Sequence, residues 1–231
     1  RVEMLATYFC HDGGETQKWR LKGHAESAFW KWVASWAVAI RFPSDIGFSD
    51  DGYILPELRM HDHPVEDTSF DKGMTLFGAV AATLEEQRDA KKSSVAIRVQ
   101  TCADVVATRP DEQWVVWCEL NTEGDLLTAA IPGAVQVSGS DTDDHKAKTL
   151  LGFANGDIRV LVTKGKIAGF GMNFQKCHNV AFVGVTHSFE GFYQSVRRCW
   201  RFGQQSPVDC HVFYASSEGA VVSNLRRKES D

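Results

Sequence analysis

The sequence lacks an apolar run of the roughly 18–20 residues that a membrane-spanning helix needs, and it lacks a signal peptide. Its six cysteines form no Cys-x-x-Cys pair and show no zinc-binding spacing. Acidic residues outnumber lysine and arginine by 30 to 25, which excludes a generally basic surface. We therefore expect a reduced, cytoplasmic protein that makes no membrane contact and binds any polyanion through a local patch.

Three Cys-His dipeptides, at 10–11, 177–178 and 210–211, raise the question of a metal site. Neighbouring side chains on a strand point to opposite faces, so such dipeptides chelate a metal ion poorly. His61 and His63 lie in a polar stretch that we interpret as part of a linker. The sequence therefore predicts no metal site.

The first residue is Arg1 rather than methionine, so we expect a piece of a longer protein. An amphipathic helix follows, with apolar residues at offsets of 3, 4, 7, 8 and 11 from Phe29. We interpret this tryptophan-rich segment as a packed core helix rather than as an aromatic ligand site. Residues 55–60 are typical of extended chain, 61–80 of a linker and 83–108 of a second helix.

From Asp111 onwards, nearly continuous apolar strands alternate with helices. This alternation predicts βαβ units and a mostly parallel sheet that helices cover on both faces, so the fold class is α/β. The predicted strands span 114–118, 134–137, 158–163, 179–183 and 208–214, and the predicted helices span 124–130, 143–154, 166–173, 190–201 and 218–228.

The stretch from Glu190 to Gln204 divides into two faces when it is placed on a helix. One face is apolar, and the other carries Arg197 and Arg201 with Arg198 beside them. Like charges this close repel each other by about 0.2–0.5 kcal/mol per pair, and anchored guanidinium groups suit a phosphate chain. A solvated, arginine-rich surface helix is the alternative that composition alone favours.

The spacing Gln194-x-x-x-Arg198-x-x-Arg201-x-Gly203-Gln204 resembles motif VI of superfamily-two helicases, in the form found in chromatin-remodeller-type ATPases. In that family, the two matching arginines approach the γ-phosphate of ATP that a different domain binds. The resemblance implies that Arg198 and Arg201 are arginine fingers, a role typically worth about 10³–10⁵ in turnover. It also implies that Gln194 couples this contact to the nucleic acid.

The segment ahead of the arginine helix resembles motif V of the same family, in which a strand and a threonine precede a Gly-x-Gly-x-Asn turn. Gly169, Gly171 and Asn173 match that turn, and the resemblance implies that they line the nucleotide cleft between two domains. It also implies that Thr163 and Lys164 contact a nucleic-acid phosphate. A glycine turn that only packs a helix closely is the alternative.

Two weaker similarities come earlier in the chain. Residues 115–121 occupy the place of motif IV, at the end of the first strand of the domain. Gly139 and Ser140 occupy the place of a loop that touches the nucleic-acid backbone in the family. Ordinary strand-to-loop turns would explain both segments equally well.

The resemblance implies a RecA-like, three-layer αβα domain over 109–231. A helical connector would span 66–108, and the end of a first RecA-like domain with its linker would span 1–65, a mainly helical segment. The segments 11–14, 19–24 and 31–36 resemble phage-type helicases.

Two parts of a complete ATP site are missing from the sequence. No Gly-x-x-x-x-Gly-Lys-Ser/Thr loop occurs, and no Asp-Glu-x-Asp/His segment ends an apolar strand. The resemblance therefore implies that ATP and Mg²⁺ are bound mainly by an N-terminal domain outside this chain, and that the chain alone does not hydrolyse ATP. The alternative is a non-catalytic RecA-like module that binds nucleic acid or docks a partner. Both DNA and RNA are compatible with the sequence as substrates, and both strand separation and translocation are compatible with it as activities.

Overall fold

The computed structural model describes residues 2–11, 19–66, 92–168, 171–184 and 188–219. The chain forms two compact units that divide between Tyr53 and Ile54. The first unit contains helices α1 (Val2–Tyr8) and α2 (Glu26–Ala34), an antiparallel pair of strands, β1 (Phe9–His11) and β2 (Trp19–Leu21), and 3-10 turns at Gly23–Ala25 and Pro43–Ile46.

Helix α2 is not a core helix within this unit, so that prediction is wrong. None of its residues is buried, and the side chains of Trp30 and of Trp36, just beyond the helix, are 57% and 65% exposed. The aromatic rings pack on each other instead, with the Phe29 ring centroid 5.4 Å from that of Tyr8. Among the described residues of the unit only Ala25 is buried, so there is no core for the helix to enter.

The second unit is built on a six-stranded sheet in which every neighbouring pair is parallel. In spatial order the strands are β3 (Leu58–Val65), β8 (Val208–Ala215), β7 (Asn179–Val183), β4 (Trp114–Cys118), β6 (Val160–Thr163) and β5 (Ala134–Val137). The helices are α3 (Val95–Ala107), α4 (Asn121–Ala130), α5 (Asp143–Asn155), α6 (Gly165–Ala168) and α7 (Phe189–Val196), and a 3-10 turn spans Ser216–Glu218.

The central strand β4 shows how helices cover the sheet on both faces. Val115 and Trp117 point into one core, which α5 and α7 close. Trp114 and Val116 point into the other core, which α3 and α4 close. All five residues of the strand are buried, as expected for a parallel strand between two helical layers. The predicted RecA-like, three-layer α/β fold class is therefore confirmed.

Most element boundaries agree with the sequence patterns, but two predicted helices are too long. The one predicted at 166–173 is α6, which spans Gly165–Ala168, and residues 171–173 are not helical. The other is the helix of the arginine segment. The strands at 114–118, 134–137 and 179–183 match the prediction. Helix α7 ends at Val196 instead of Arg201, and a turn follows it. The predicted helix at 218–228 lies almost entirely outside the described residues, as does the first part of the one at 83–108.

The predicted linker over 61–80 is wrong for its first five residues, because they belong to β3. This edge strand pairs with β8 along its whole length, from Leu58 opposite Val208 to Val65 opposite Ala215. Its polar and charged residues hide the strand signal, and such residues are common on edge strands because they discourage further pairing.

A histidine cluster joins the two strands. His63 Nε2 lies 2.9 Å from His211 Nδ1, and His61 Nε2 lies 2.7 Å from Asp209 Oδ1. His211 is 6% exposed, and its Nε2 has no hydrogen-bond partner among the described residues. Burial lowers the pKa of His211 to about 4, with His61 and His63 acting in the same direction. The neutral form of this imidazole is therefore the one that the fold accommodates.

His211 should make the folded state less stable as the pH falls from about 6.5 to about 4. In this window the unfolded histidine takes up a proton and the buried one does not, so acid favours the unfolded chain by up to about 3 kcal/mol, reduced by any solvent screening. The free energy of unfolding, measured in urea at neutral pH and near pH 4, should change less with pH in His211→Leu than in the wild type. The exposed His145 supplies the control, His145→Asn, and equal pH dependence in all three proteins would contradict this assignment.

Candidate functional site

Lys164, Gly139 and Asn121 lie at the edge of the sheet where the parallel strands end, whereas the arginine segment packs against residues that precede β7. Lys164 follows β6, Gly139 lies in the loop after β5, and Asn121 opens α4 after β4. In open α/β sheets, ligands bind outside the carboxyl ends of the strands. This edge is therefore the place to examine for a site.

Arg198 lies just beyond the end of α7, and Gln194 holds it. Arg198 Nε donates to the Gln194 carbonyl oxygen at 2.9 Å, and Nη2 donates to the Gln194 side-chain Oε1 at 3.1 Å. Gln194 thus uses both of its oxygens to fix the guanidinium plane. A planar fork held in this way loses little freedom when it binds a phosphate.

The guanidinium groups of Arg198 and Arg201 converge on one carbonyl in the segment that resembles motif V. Their Nη1 atoms donate to Met172 O at 3.1 and 3.3 Å, respectively. The Phe174 N–H donates to the Arg198 carbonyl at 2.8 Å, which ties the two segments together through the backbone as well. The structure therefore brings the arginines and Gln194 against the turn that carries Gly171.

This pair of arginines carries positive charge with no counter-ion among the described residues. Neither side chain forms a salt bridge with any carboxylate of the described residues. Burial lowers the pKa of Arg198, and the charges of Arg201 and Arg197 lower it further. An arginine stays protonated regardless, so the arrangement leaves a strong local preference for an anion.

The glycines of the two motifs have conformational roles. Gly171 has φ of 77° and Gly203 has φ of 91°, a left-handed region that side chains disfavour. A Cβ on Gly203 would also lie 2.8 Å from Gln175 Oε1. The exposed Asn173 amide closes its own turn, since its Oδ1 accepts from the Gln175 N–H at 3.2 Å. Gly169 lies outside the described residues.

Gln204, the last residue of the arginine motif, is an internal brace. Its Nε2 donates to the carbonyls of Cys177 and Cys199 at 3.0 and 3.3 Å, and its Oε1 accepts from the N–H groups of Gln205 and Ser206. The side chain is 9% exposed. Gln204 therefore holds the loop after the arginines against the start of β7, and it is not free to contact a ligand.

Thr163 and Lys164, at the end of β6, differ in what they can reach. Thr163 is 1% exposed and its hydroxyl donates to Val137 O at 2.9 Å, so its side chain ties β6 to β5. The Thr163 side chain is therefore not placed to make the predicted contact with a nucleic-acid phosphate, and that prediction is wrong. Lys164 is half-buried, and its Nζ donates to Asn121 Oδ1 at 2.6 Å. Its other ammonium hydrogens make no bond to the described residues.

Gly139 and Ser140 are exposed at the tip of the loop between β5 and α5. Lys146 Nζ donates to the Gly139 carbonyl at 3.0 Å, and the Ser138 and Ser140 hydroxyls lie 3.0 Å apart. The loop and Asn121 line an open polar groove of about 470 Å³. The Ser138 and Ser140 hydroxyls and the carboxylates of Asp125 and Asp141 line this groove, and Lys164 adjoins it through its hydrogen bond to Asn121.

The third arginine, Arg197, lies apart from the other two. Its guanidinium carbon is 5.8 Å from the Tyr193 ring centroid and 5.3 Å from that of Trp200. The prediction that all three arginines share one helical edge is wrong, because α7 ends at Val196 and all three lie in the turn that follows it. Glu190 forms no salt bridge with any of the three.

The sequence did not predict two elements of the site: Asn121, and a buried ion pair between Arg98 and Glu123. Glu123 stands three positions after the residue that precedes α4, the spacing of a helix-capping carboxylate, so it could have been found. Asn121 is the last residue of the segment that resembles motif IV, and no pattern singles it out within that segment. Arg98 lies in a helix of mixed apolar and polar residues, and no sequence pattern indicates that it is buried.

The described parts of the chain contain no group of three or more His, Cys, Asp or Glu side chains that could hold a metal ion. Burial raises the pKa of the Cys118 thiol to about 12 and raises that of Cys102 further, so these thiols stay protonated and unreactive. None of the described helices combines the length and the apolar character that crossing a membrane requires.

Comparison with known proteins points to one domain family. Residues 97–203, from α3 to the end of the arginine motif, match the helicase conserved C-terminal domain. A protein of Acanthamoeba polyphaga mimivirus, provisionally named ATP-dependent RNA helicase R290, is 26% identical over 114 residues. The bifunctional helicase and thymine dioxygenase JBP2 of Leishmania tarentolae is 29% identical over 104 residues.

These relatives are much longer than the chain. The matched regions are 48% of this chain and 20% of R290, and 44% of this chain and 10% of JBP2. Among solved structures, the C-terminal part of the Fun30 ATPase domain matches with a TM-score of 0.49 and 16% identity, over 57% of this chain and 45% of that chain.

Replacing Gln204 by alanine should lower the free energy of unfolding by about 2 kcal/mol, because buried donors and acceptors lose their partner. Urea unfolding measures the change. Gln205→Ala is the matched control, since that side chain is exposed and its loss should change stability by less than about 0.5 kcal/mol. Equal stability of the two variants would show that the Gln204 side chain does not brace the loop.

Proposed function

Residues 97–203 of this chain form a helicase C-terminal domain, and from that premise we propose that the chain supplies arginine fingers to ATP held by another domain of the same protein. The observation that carries the proposal is the convergence of Arg198 and Arg201 on the Met172 carbonyl with no carboxylate to neutralise them among the described residues. Two fixed guanidinium groups fit the terminal phosphate of ATP in charge and in geometry.

The chain's part in turnover is to stabilise charge. ATP supplies the phosphoryl group that water attacks, and positive charge at its oxygens stabilises the transition state. Arg198 and Arg201 provide that charge, and Gln194 orients Arg198. The sequence has no phosphate-binding loop and no Asp-Glu pair for Mg²⁺, so both would be bound mainly by an N-terminal RecA-like domain. Gly171 and Asn173, and by resemblance Gly169, would line the cleft.

The nucleic-acid contact would run along the groove beside Lys164. The Lys164 ammonium, the Ser140 hydroxyl and the Gly139 backbone lie at the carboxyl edge of the sheet, where a phosphate backbone can approach. Such contacts bind DNA or RNA without regard to sequence. The relatives named as helicases support this assignment, and DNA or RNA is equally compatible with it.

One chain segment connects the proposed nucleic-acid groove to the arginine pair. It begins at Lys164, whose carbonyl accepts from the N–H groups of Ile167 and Ala168 in α6, and it ends at the turn of Met172 against the arginines. A shift of the arginines toward ATP would therefore move the same stretch of backbone that holds the lysine. We propose this as the link between ATP turnover and movement on nucleic acid.

A non-catalytic role is the second candidate, and one observation favours it: this chain has the polar groove and its sequence contains no phosphate-binding loop. Such a module would bind nucleic acid, or dock a partner, without any ATPase domain. The residues encoded ahead of Arg1 discriminate between the candidates. A phosphate-binding loop and an Asp-Glu pair there favour the ATPase.

Arg201→Ala in the full-length protein should reduce ATP turnover by about a hundredfold or more, with nucleotide binding largely retained. The reason is that the charge acts mainly on the transition state. Steady-state hydrolysis and the affinity for a fluorescent ATP analogue are the measurements. Arg197→Ala is the matched control, since that side chain lies on Tyr193 and Trp200, and its turnover should stay near the wild-type rate. Equal rates for the two variants would refute the finger role.

Lys164→Ala should weaken binding to DNA or RNA and reduce the salt dependence of the binding constant by about one charge. Fluorescence anisotropy of a labelled single-stranded oligonucleotide, titrated at several salt concentrations, measures both. Lys176→Ala is the control, because that lysine precedes β7 at the opposite edge and donates to Asn155 O. The same salt slope in both variants would contradict the proposed groove.

A further inference from the structure

A fully buried ion pair joins α3 to the start of α4. Arg98 Nη1 donates to Glu123 Oε1 at 2.7 Å, both side chains are 0% exposed, and Arg98 Nε donates to Ser94 Oγ at 3.0 Å. Desolvation of two charges offsets most of their attraction, so apolar residues in such a place are often equally stable. The contribution of the pair to stability therefore does not by itself explain its position.

The second oxygen of the carboxylate holds a loop. Glu123 Oε2 accepts from the N–H groups of Glu119 and Leu120, both at 2.9 Å. These two residues are the whole connection between the end of β4 and Asn121. One carboxylate, held from the far side by Arg98, thus sets the path of the chain into α4.

Asn121 passes this constraint on to the nucleic-acid groove. Its Oδ1 accepts from Lys164 Nζ at 2.6 Å, and the same asparagine lines the groove that carries Gly139 and Ser140. A free lysine side chain samples many rotamers, and ordering it costs affinity when a phosphate binds. A lysine held by Asn121 has already lost much of that freedom.

We propose that Arg98 and Glu123 are positioning residues that, through the loop at 119–120 and Asn121, aim the Lys164 ammonium at a nucleic-acid phosphate. This inference rests on the proposed function, since it assigns a purpose to the ion pair only if Lys164 contacts nucleic acid. The pair touches no ligand and acts through the lysine alone.

Two double variants of the full-length protein separate positioning from packing. Arg98→Met with Glu123→Leu removes both charges and the acceptor of the loop N–H groups. Arg98→Met with Glu123→Gln removes the charges and keeps an acceptor, as in a helix-capping glutamine. The first should bind a fluorescein-labelled single-stranded oligonucleotide roughly tenfold more weakly, with a salt slope lower by about one charge, and the second should bind nearly as wild type.

A double-mutant cycle with Lys164→Ala shows whether the effect runs through the lysine. In the Lys164→Ala background, the leucine double variant (Arg98→Met with Glu123→Leu) should cause no further loss of affinity, because the effects of coupled residues are not additive. An equal loss with and without Lys164, or binding that follows the unfolding temperature of the two double variants, would overturn positioning. Asn121→Ala, which leaves the buried pair intact, tests the last link with the same expected loss.

The remaining outcomes distinguish this inference from the function on which it rests. If Lys164→Ala weakens binding while both Asn121→Ala and the leucine double variant bind normally, positioning is wrong and the nucleic-acid groove stands. If Lys164→Ala itself leaves binding unchanged, nucleic acid does not bind along the groove, and the positioning role is wrong as well.

Discussion

Parallel strand pairing is the constraint on which the rest of the structure depends. Because all six strands of the sheet run the same way, each loop that follows a strand leaves at the same edge. The loops after β4, β5 and β6 are therefore neighbours, although more than 40 residues separate Asn121 from Lys164 along the chain. The apolar strands stay buried between helical layers, so only their ends are free to carry polar chemistry.

The sequence predicts the central strands well because their burial on two faces demands unbroken apolar runs, as in β4 and β7. It fails at β3, where the His61 and His63 side chains on an edge strand mimic a polar linker. It fails again at the tryptophans of α2, because an amphipathic period shows that a helix has an apolar face and does not show what covers that face. Long-range contacts such as Arg98 to Glu123 leave no local pattern at all.

The same limit explains the mixed outcome at the site. The motif spacing gives the order of the two segments along the chain, and the structure adds that Arg198 and Arg201 both donate to the carbonyl of Met172. The spacing could not show that Thr163 turns inward, because a threonine at the end of a strand can face either way until the neighbouring strand is known. Nor could it show that Gln204 is a brace, since its partners lie on both sides of the arginine segment.

The charge distribution around the arginines explains why the surrounding turns are so tightly held. Two guanidinium groups side by side repel each other, and without a carboxylate they would swing apart into solvent. Three sets of hydrogen bonds prevent it. Gln194 accepts from Arg198, and the Met172 carbonyl accepts from both guanidinium groups. Gln204 holds the loop that follows the arginines. Packing and neutral hydrogen bonds thus take the place of counter-ions. This arrangement suits the phosphate contact that we propose, because a carboxylate placed there for stability would repel a phosphate.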